Sequence, residues 1–238
     1  MSEAGRRYLA VVTARSGSKR LPEKNVRDFC GRPLFVWSVR AGLECPAVQR
    51  TVVSTDSPEY RRIALDAGAE CPRLRALELA ADTASSVDTV LEAVDWFDGA
   101  YGDDDAVVLL QPTSPLRDAA DVEAAIEMFE RTGAPALVSV SPAECPPEWM
   151  GQLTDDLRAD DFIARQRKGS RSQDLGQWYR LNGAIYVIRI GVLRAERGFL
   201  PAGTVAFPMP RMRAVDIDDA TDFEFARLLM QARLTQAD

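Results

Sequence analysis

Short unbroken apolar runs alternate along the chain with longer stretches in which apolar positions recur every three or four residues. The run Tyr8 to Thr13 (YLAVVT) is apolar at both odd and even positions, the pattern of a strand buried on both faces of a parallel sheet. Thr51 to Ser54, Ala106 to Leu110, Ala136 to Val140 and Ala184 to Ile188 read the same way. Between them, helical spacing predicts helices over Pro33 to Glu44, Pro58 to Ala67, Val87 to Phe97 and Asp121 to Glu130. Pro33 is expected in a first helical turn, where a missing N–H costs nothing. A last amphipathic helix, Asp219 to Leu234, is expected to turn Phe223 and Leu228 to the core, with Phe225 and Leu229 as further candidates.

Strand and helix therefore alternate, which predicts a layered α/β fold around a mainly parallel sheet, in one domain spanning residues 1–238. Residues 142–180 break the rhythm, first interrupted by prolines and then polar and basic. So long a segment of weak periodicity inside a compact domain is expected to be a lid, an arm or an interface.

Composition narrows the chemistry. A chain of 238 residues with 46% hydrophobic content can bury a substantial core. No apolar stretch reaches membrane-spanning length and no export leader is evident, so a soluble cytoplasmic protein without a membrane partner is expected. A net charge of −7 argues against nucleic acid as partner. The sequence holds no histidine, which excludes His-based triads, His-ligated zinc and a His general base. Its four cysteines, Cys30, Cys45, Cys71 and Cys145, are too dispersed for paired metal knuckles and read as reduced packing thiols.

Against that acidic balance, Ala14 to Asn25 (ARSGSKRLPEKN) carries four cationic side chains in twelve residues. It falls between the first strand and the first helix, at the edge where open α/β sheets bind ligands. Backbone N–H groups of Ser16, Gly17 and Ser18 can approach an anion there, while Arg15, Lys19, Arg20 and Lys24 supply charge, which suits a polyphosphate. The stretch matches neither the P-loop nor the dinucleotide fingerprint. A solvated basic loop is the alternative.

Other stretches carry two readings each. In LLQPTSPLR the strand breaks at Pro112, placing Gln111, Thr113 and Ser114 at the same edge, where an amide and two hydroxyls suit a polyhydroxylated sugar or simply shape a turn. Ser85 or Ser86 can cap the helix that follows Asp82. In an extended Asp216-Ile217-Asp218 the carboxylates share one face, which suits Mg²⁺ completed by phosphate oxygens and water. Helix capping competes for that segment, and Asp219 is the better cap. Tyr186 in NGAIYV fits a core position with a satisfied hydroxyl.

ARSGSKRLPEKN resembles the signature of the acylneuraminate cytidylyltransferases, the CMP-sialic acid synthetase family, which includes enzymes for related nonulosonic acids. VSTD (Val53 to Asp56), LELAADTASS (Leu77 to Ser86), LLQPTSPLR, NGAIYV and AVDIDDATDF (Ala214 to Phe223) resemble further blocks of that family in the same order, spanning nearly the whole chain. The resemblance implies a three-layer Rossmann-like nucleotidyltransferase fold, with 142–180 as an inserted dimerisation arm. It implies CTP bound by Ala14, Arg15, Ser16, Gly17, Lys19, Lys24, Asn25, Arg75, Asp82 and Ser85. Ser86, Gln111, Thr113, Ser114, Asn182, Tyr186 and Phe199 are then expected at the sugar.

Asp216 and Asp218 would hold Mg²⁺ and, with Arg15 and Lys24, carry catalysis in a homodimer whose arm completes the neighbouring site. In that arm Arg165, Arg167, Lys168 and Arg171 are candidates for the sugar carboxylate. The family often has arginine immediately before the glutamine. Here Arg171-Ser172-Gln173 places serine there, so either Arg171 substitutes from one position away or the acid differs. The expected reaction joins CTP to a nonulosonic acid; the alternatives are another acid, such as 3-deoxy-octulosonate or a phosphonate, and a nucleotide-binding protein without turnover.

Overall fold

The computed structural model describes residues 5–81, 84–160, 163 and 176–237. In chain order its strands are β1 (Tyr8–Thr13), β2 (Asp28–Phe29), β3 (Arg32–Pro33), β4 (Arg50–Ser54), β5 (Ala106–Leu109), β6 (Ala136–Pro142), β7 (Tyr179–Arg189) and β8 (Val205–Pro208). The α-helices are α1 (Leu34–Leu43), α2 (Pro58–Asp66), α3 (Ser86–Asp95), α4 (Ala119–Thr132), α5 (Ile190–Glu196) and α6 (Ala220–Ala237).

The main sheet runs β4-β1-β5-β7-β6-β8. β1 pairs in parallel with β4 and β5, β6 pairs in parallel with β8, and β7 runs antiparallel between β5 and β6. Both faces are covered, which is why its strands read as unbroken apolar runs. On one face Ala10 and Val12 of β1 pack against Phe35 and Val39 of α1, Ala64 of α2 and Phe129 of α4. On the other, Leu9 and Val11 meet Val90 and Val94 of α3 and Leu193 of α5. The result is the three-layer α/β fold, and no helix among the described residues is long and apolar enough to cross a membrane. The four cysteines are free thiols.

Several boundaries differ from the sequence expectation for local reasons. Pro33 is the N-cap of α1 and pairs in the β2–β3 hairpin, one step outside the helix. α4 starts at Ala119 because Asp118 and Asp121 form a capping box. β7 is longer than Ala184 to Ile188 and carries a register shift against β6 between Val138 and Val140. Its start and the end of β6 fall inside the stretch 142–180, so part of that segment is sheet.

The C-terminal helix corrects a core assignment. Phe223, Ala226 and Met230 are buried with Leu21, Phe29, Leu34, Leu116 and Ile217, and Leu229 packs against them. Phe225 and Leu228, expected inside, are 52% and 58% exposed. Helical phase decides this: i, i+3 and i+7 from Phe223 land on Ala226 and Met230.

Candidate active site

The C-terminal ends of β1 and β5 open into a cleft. Ala14 donates its N–H to Ser54 O at 3.0 Å, continuing the β1–β4 ladder into the basic loop. The loop is then tied on both sides. Ser16 donates its N–H and hydroxyl to Asp56 at 2.9 and 2.6 Å, and Asn25 Nδ2 donates to Arg15 O at 2.9 Å. Asp56 resists the upward push of burial, and the Ser16 bonds hold its carboxyl below the ordinary value.

The C-terminal segment closes onto the same loop. Ile217 N–H donates to Thr113 O at 2.8 Å, and Lys24 Nζ donates to Ile217 O at 2.6 Å. Ile217 itself, between the two carboxylates in sequence, is buried in the α6 core. Arg20 pairs with Asp218 at 2.8 Å across an exposed edge. Lys24 is half-buried; desolvation lowers its pKa, opposed by Asp218 and Asp216. Arg15, Lys19, Lys24, Asn25, Thr113 and Asp218 thus line one cavity of about 400 Å³.

A second cavity of about 370 Å³ adjoins it, lined by Arg75, Ala84, Ser86 and Gln111. Thr13, Arg15, Pro112 and Thr113 line both, so the two form one continuous cleft. Arg75 is 6% exposed and donates to Ser54 Oγ at 3.0 Å and Ser54 O at 2.6 Å. Burial lowers its pKa, opposed by Asp56 and Glu92.

Asp216 sits deeper than Asp218, bordering a neighbouring cavity of about 540 Å³ with Ser141, Arg180 and Phe225. Its Oδ1 is buried with no hydrogen-bond partner among the described residues. Desolvation pushes its carboxyl above the ordinary value and the Asp218 charge adds to this, against Thr113, Lys24 and Arg180. An orphaned carboxylate oxygen beside a second carboxylate is a donor set that fits a hard divalent cation. Among the described residues no group of three acidic or thiol side chains could hold a metal alone, so phosphate and water oxygens would complete its shell.

Other expected contacts land differently. Ser16 gives both donors to Asp56 rather than presenting them to the cleft. Ser85 is the N-cap of α3, its hydroxyl accepting from Asp88 N, while Ser86 faces the cleft. Ser114 is fully buried and its hydroxyl has no partner among the described residues. Gly17 has nothing within 4 Å of where a Cβ would stand.

Asn182 is also buried, at 2% exposure, and its Oδ1 accepts from Ser139 Oγ at 2.5 Å and Ala184 N at 3.1 Å. That places it beneath the cleft in the β7 irregularity, with Nδ2 unpartnered among the described residues. Tyr186 packs on Phe199 at 5.7 Å between ring centroids, and burial raises its pKa with Asp216 adding. Asp82 and the arm residues Arg165, Arg167, Lys168 and Arg171 lie outside the described residues.

Sequence reasoning assigned no role to Asp56, Ser38, Ser139 or Arg117. Asp56 and Arg117 lie in recognisable blocks and Ser38 and Ser139 do not, and only the fold shows that Asp56 holds the basic loop and that Arg117 reaches under Gln111.

The sequence and the fold both have known relatives. Residues 9–145 match the sequence model of the family described as Cytidylyltransferase. The chain is 34% identical over 232 residues to the CMP-N,N'-diacetyllegionaminic acid synthase of Legionella pneumophila, covering 94% of this chain and 97% of that protein. It is 34% identical to the pseudaminic acid cytidylyltransferase of Campylobacter jejuni, covering 93% and 95%. It is also 34% identical to the N-acylneuraminate cytidylyltransferase of Streptococcus agalactiae, covering 90% of this chain and 51% of that protein. Among solved structures, a CMP:2-keto-3-deoxy-manno-octonic acid synthetase complexed with CTP superposes with a TM-score of 0.71 at 19% identity, covering 95% of this chain and 99% of that one. At that identity the likeness speaks for the fold.

Proposed function

Since the chain belongs to the cytidylyltransferase family, we propose that it couples CTP to a nonulosonic, sialic-type acid, giving a CMP-sugar acid and pyrophosphate. The observation that carries this reading is the shared cavity in which Arg15, Lys19, Lys24 and Asp218 face one another. Relatives named for legionaminic, pseudaminic and N-acylneuraminic acids favour a nonulosonic acid over the octulosonate and phosphonate alternatives.

The triphosphate lies along the basic loop, with Arg15 and Lys24 compensating its charge. The nucleoside extends past Arg75 and Ser86, and the sugar approaches Gln111, Thr113 and the Tyr186–Phe199 pair. The anomeric hydroxyl attacks the α-phosphorus; a new P–O bond forms as the α–β phosphoanhydride breaks, and pyrophosphate leaves carrying the electron pair. The hydroxyl proton is released, in the end to solvent, and the chain holds no histidine to relay it. Such transfer depends on alignment and charge neutralisation rather than covalent catalysis.

Asp216 and Asp218 are the residues that would hold Mg²⁺, which when bound supplies charge neutralisation at the phosphates. Lys24, beside those carboxylates and in the wall of the cleft, keeps the segment and the loop together through its bond to Ile217 O. We also propose that the chain works as a homodimer, with the 142–180 segment reaching the neighbouring subunit and its cations, Arg171 among them, meeting the sugar carboxylate. Trp149, Met150, Leu153, Trp178, Tyr179 and Leu181, in and beside that segment, are exposed apolar side chains and support this reading.

The test is pyrophosphate release with CTP and Mg²⁺ across sialic, legionaminic, pseudaminic and octulosonic acids. The expected result is turnover with at least one nonulosonic acid, lowered ~100-fold or more by Asp218→Asn. Turnover with octulosonate alone would overturn the substrate assignment, and undiminished turnover in the variant would overturn the metal assignment.

A further inference from the structure

Arg117 is among the largest fully buried side chains of the protein, yet among the described residues none of its hydrogen bonds goes to a carboxylate. A buried cation whose hydrogen bonds go to neutral acceptors is a poor stabilising device, because its desolvation is opposed by the charges of Asp121 and Asp118 without a direct contact to either. Its bonds instead join elements. Nη2 donates to Ser38 Oγ of α1 at 2.8 Å and to the carbonyl oxygen of Gln111 at 3.0 Å, while Nε donates to Ala184 O of β7 at 3.2 Å. Ser38 Oγ donates to the same Gln111 carbonyl at 3.0 Å. That oxygen also accepts from Ser114 N at 3.3 Å, so three donors converge on it where β5 ends and the cleft begins.

The side chain of Gln111 is confined as well. A Cβ on Gly183 would stand 2.8 Å from Gln111 Oε1, and Gly183 has φ +74°, so β7 meets the Gln111 amide with bare backbone. Ala184, next to Gly183 in the same irregular stretch, is fully buried, and its carbonyl accepts from Arg117.

We propose that Arg117, together with Ser38, is the positioning residue that fixes Gln111 for the sugar acid, an assignment that rests on the sugar half of the proposed function. Only a guanidinium meets the geometry, because its donors lie in one plane and reach three elements together; a lysine presents a single charged atom. Arg117 touches no substrate and acts through Gln111. Its substitution therefore affects the sugar more than the triphosphate, whose cavity is lined by the basic loop and Asp218 and not by Gln111.

Ser38→Ala is the gentle test, since it removes one of the three donors, and Arg117→Lys is the severe one. Each is measured alone and in a Gln111→Ala background, with KM for CTP and for the acid determined separately by pyrophosphate release. Ser38→Ala is expected to raise KM for the acid about three- to tenfold, the scale of one lost hydrogen bond, with KM for CTP within about twofold. In the Gln111→Ala background the same change is expected to leave KM for the acid within about twofold, although the thermal midpoint falls equally in both.

An equal KM effect in both backgrounds, or an equal effect on CTP, would overturn the proposal. A second readout needs no substrate. The Gln111 side-chain amide resonance, identified by its loss in Gln111→Ala, is expected to shift and broaden in Ser38→Ala, and an unchanged resonance would overturn the positioning role. Absence of turnover with every acid would instead count against the sugar reading, leaving the resonance to decide whether Arg117 and Ser38 place Gln111.

Discussion

Lys24 is a single side chain that joins two distant parts of the sequence, through its bond to Ile217 O and its place beside Asp216 and Asp218. Lys24→Met removes both the bond and the charge, and is expected to raise KM for CTP by ~10-fold or more while leaving the acid's KM less affected; matched changes in both would argue against a triphosphate contact. Gly183 is the converse case, a residue needed for what it lacks. Gly183→Ala must displace Gln111 Oε1 and occupy φ +74°, so it is expected to raise KM for the acid and to lower the thermal midpoint. Kinetics indistinguishable from the parent would show that Gln111 is not held as described.

Charge at Asp105 governs an acid-sensitive contact at the opposite end of the sheet. Its carboxylate accepts from Arg7 N, Arg7 Nε, Arg7 Nη2 and Gly102 N. Desolvation acts to raise its pKa, but these bonds prevail and hold it below the ordinary carboxylate value. A depressed folded-state pKa contributes stability above the unfolded value that is lost as pH falls through the folded one. The thermal midpoint is therefore expected to fall from about pH 5 downward, less steeply in Asp105→Asn than in the parent. Parallel pH profiles would remove Asp105 from the account.

At the scale of elements, the segment before α6 is set by its cap. Asp219 Oδ1 accepts from Thr221 N and Asp222 N at 2.8 and 3.0 Å, and Asp222 Oδ2 accepts in return from Asp218 N and Asp219 N at 3.0 and 3.1 Å. The same turn that starts the helix thereby fixes the backbone of Asp218. Asp222→Ala is expected to cost about 1 kcal/mol of stability and to raise the Mg²⁺ concentration needed for half-maximal turnover severalfold. A stability loss with unaltered Mg²⁺ dependence would separate the cap from the metal.

Elements with strong local signals were legible in the sequence for the same physical reason. Buried parallel strands have to be apolar on both faces, and Asp219 declares a helix start. Short strands such as β2, β3 and β8 carry no period to read, and the side of α6 that faces inward depends on its packing partners. Asp56 and Arg117 act through contacts 40 and 67 residues distant, which no local pattern encodes.

Across the whole molecule, the basic loop after β1, the end of β5 and the segment before α6 come from three parts of the chain and meet at one sheet edge. The likeness of the sequence to cytidylyltransferases could name the residues but could not show that Ser16 is turned to Asp56, that Ser114 and Asn182 are buried, or that Asp216 lies deeper than Asp218. Those distinctions arise from burial. The exposed apolar side chains around the 142–180 segment belong to this scale too. Sedimentation equilibrium is expected to give twice the 26.2 kDa chain mass, and a monomer at micromolar concentration would contradict the proposed assembly.

The account turns on one triphosphate held from two sides, by Arg15 and Lys24 on the loop and by a cation at Asp216 and Asp218. Anomalous diffraction from crystals soaked with CTP and Mn²⁺ addresses this directly. The expected map shows a manganese peak bounded by these carboxylates and by phosphate oxygens lying over Arg15 and Lys24. A triphosphate over the loop with manganese bound away from these carboxylates would contradict it.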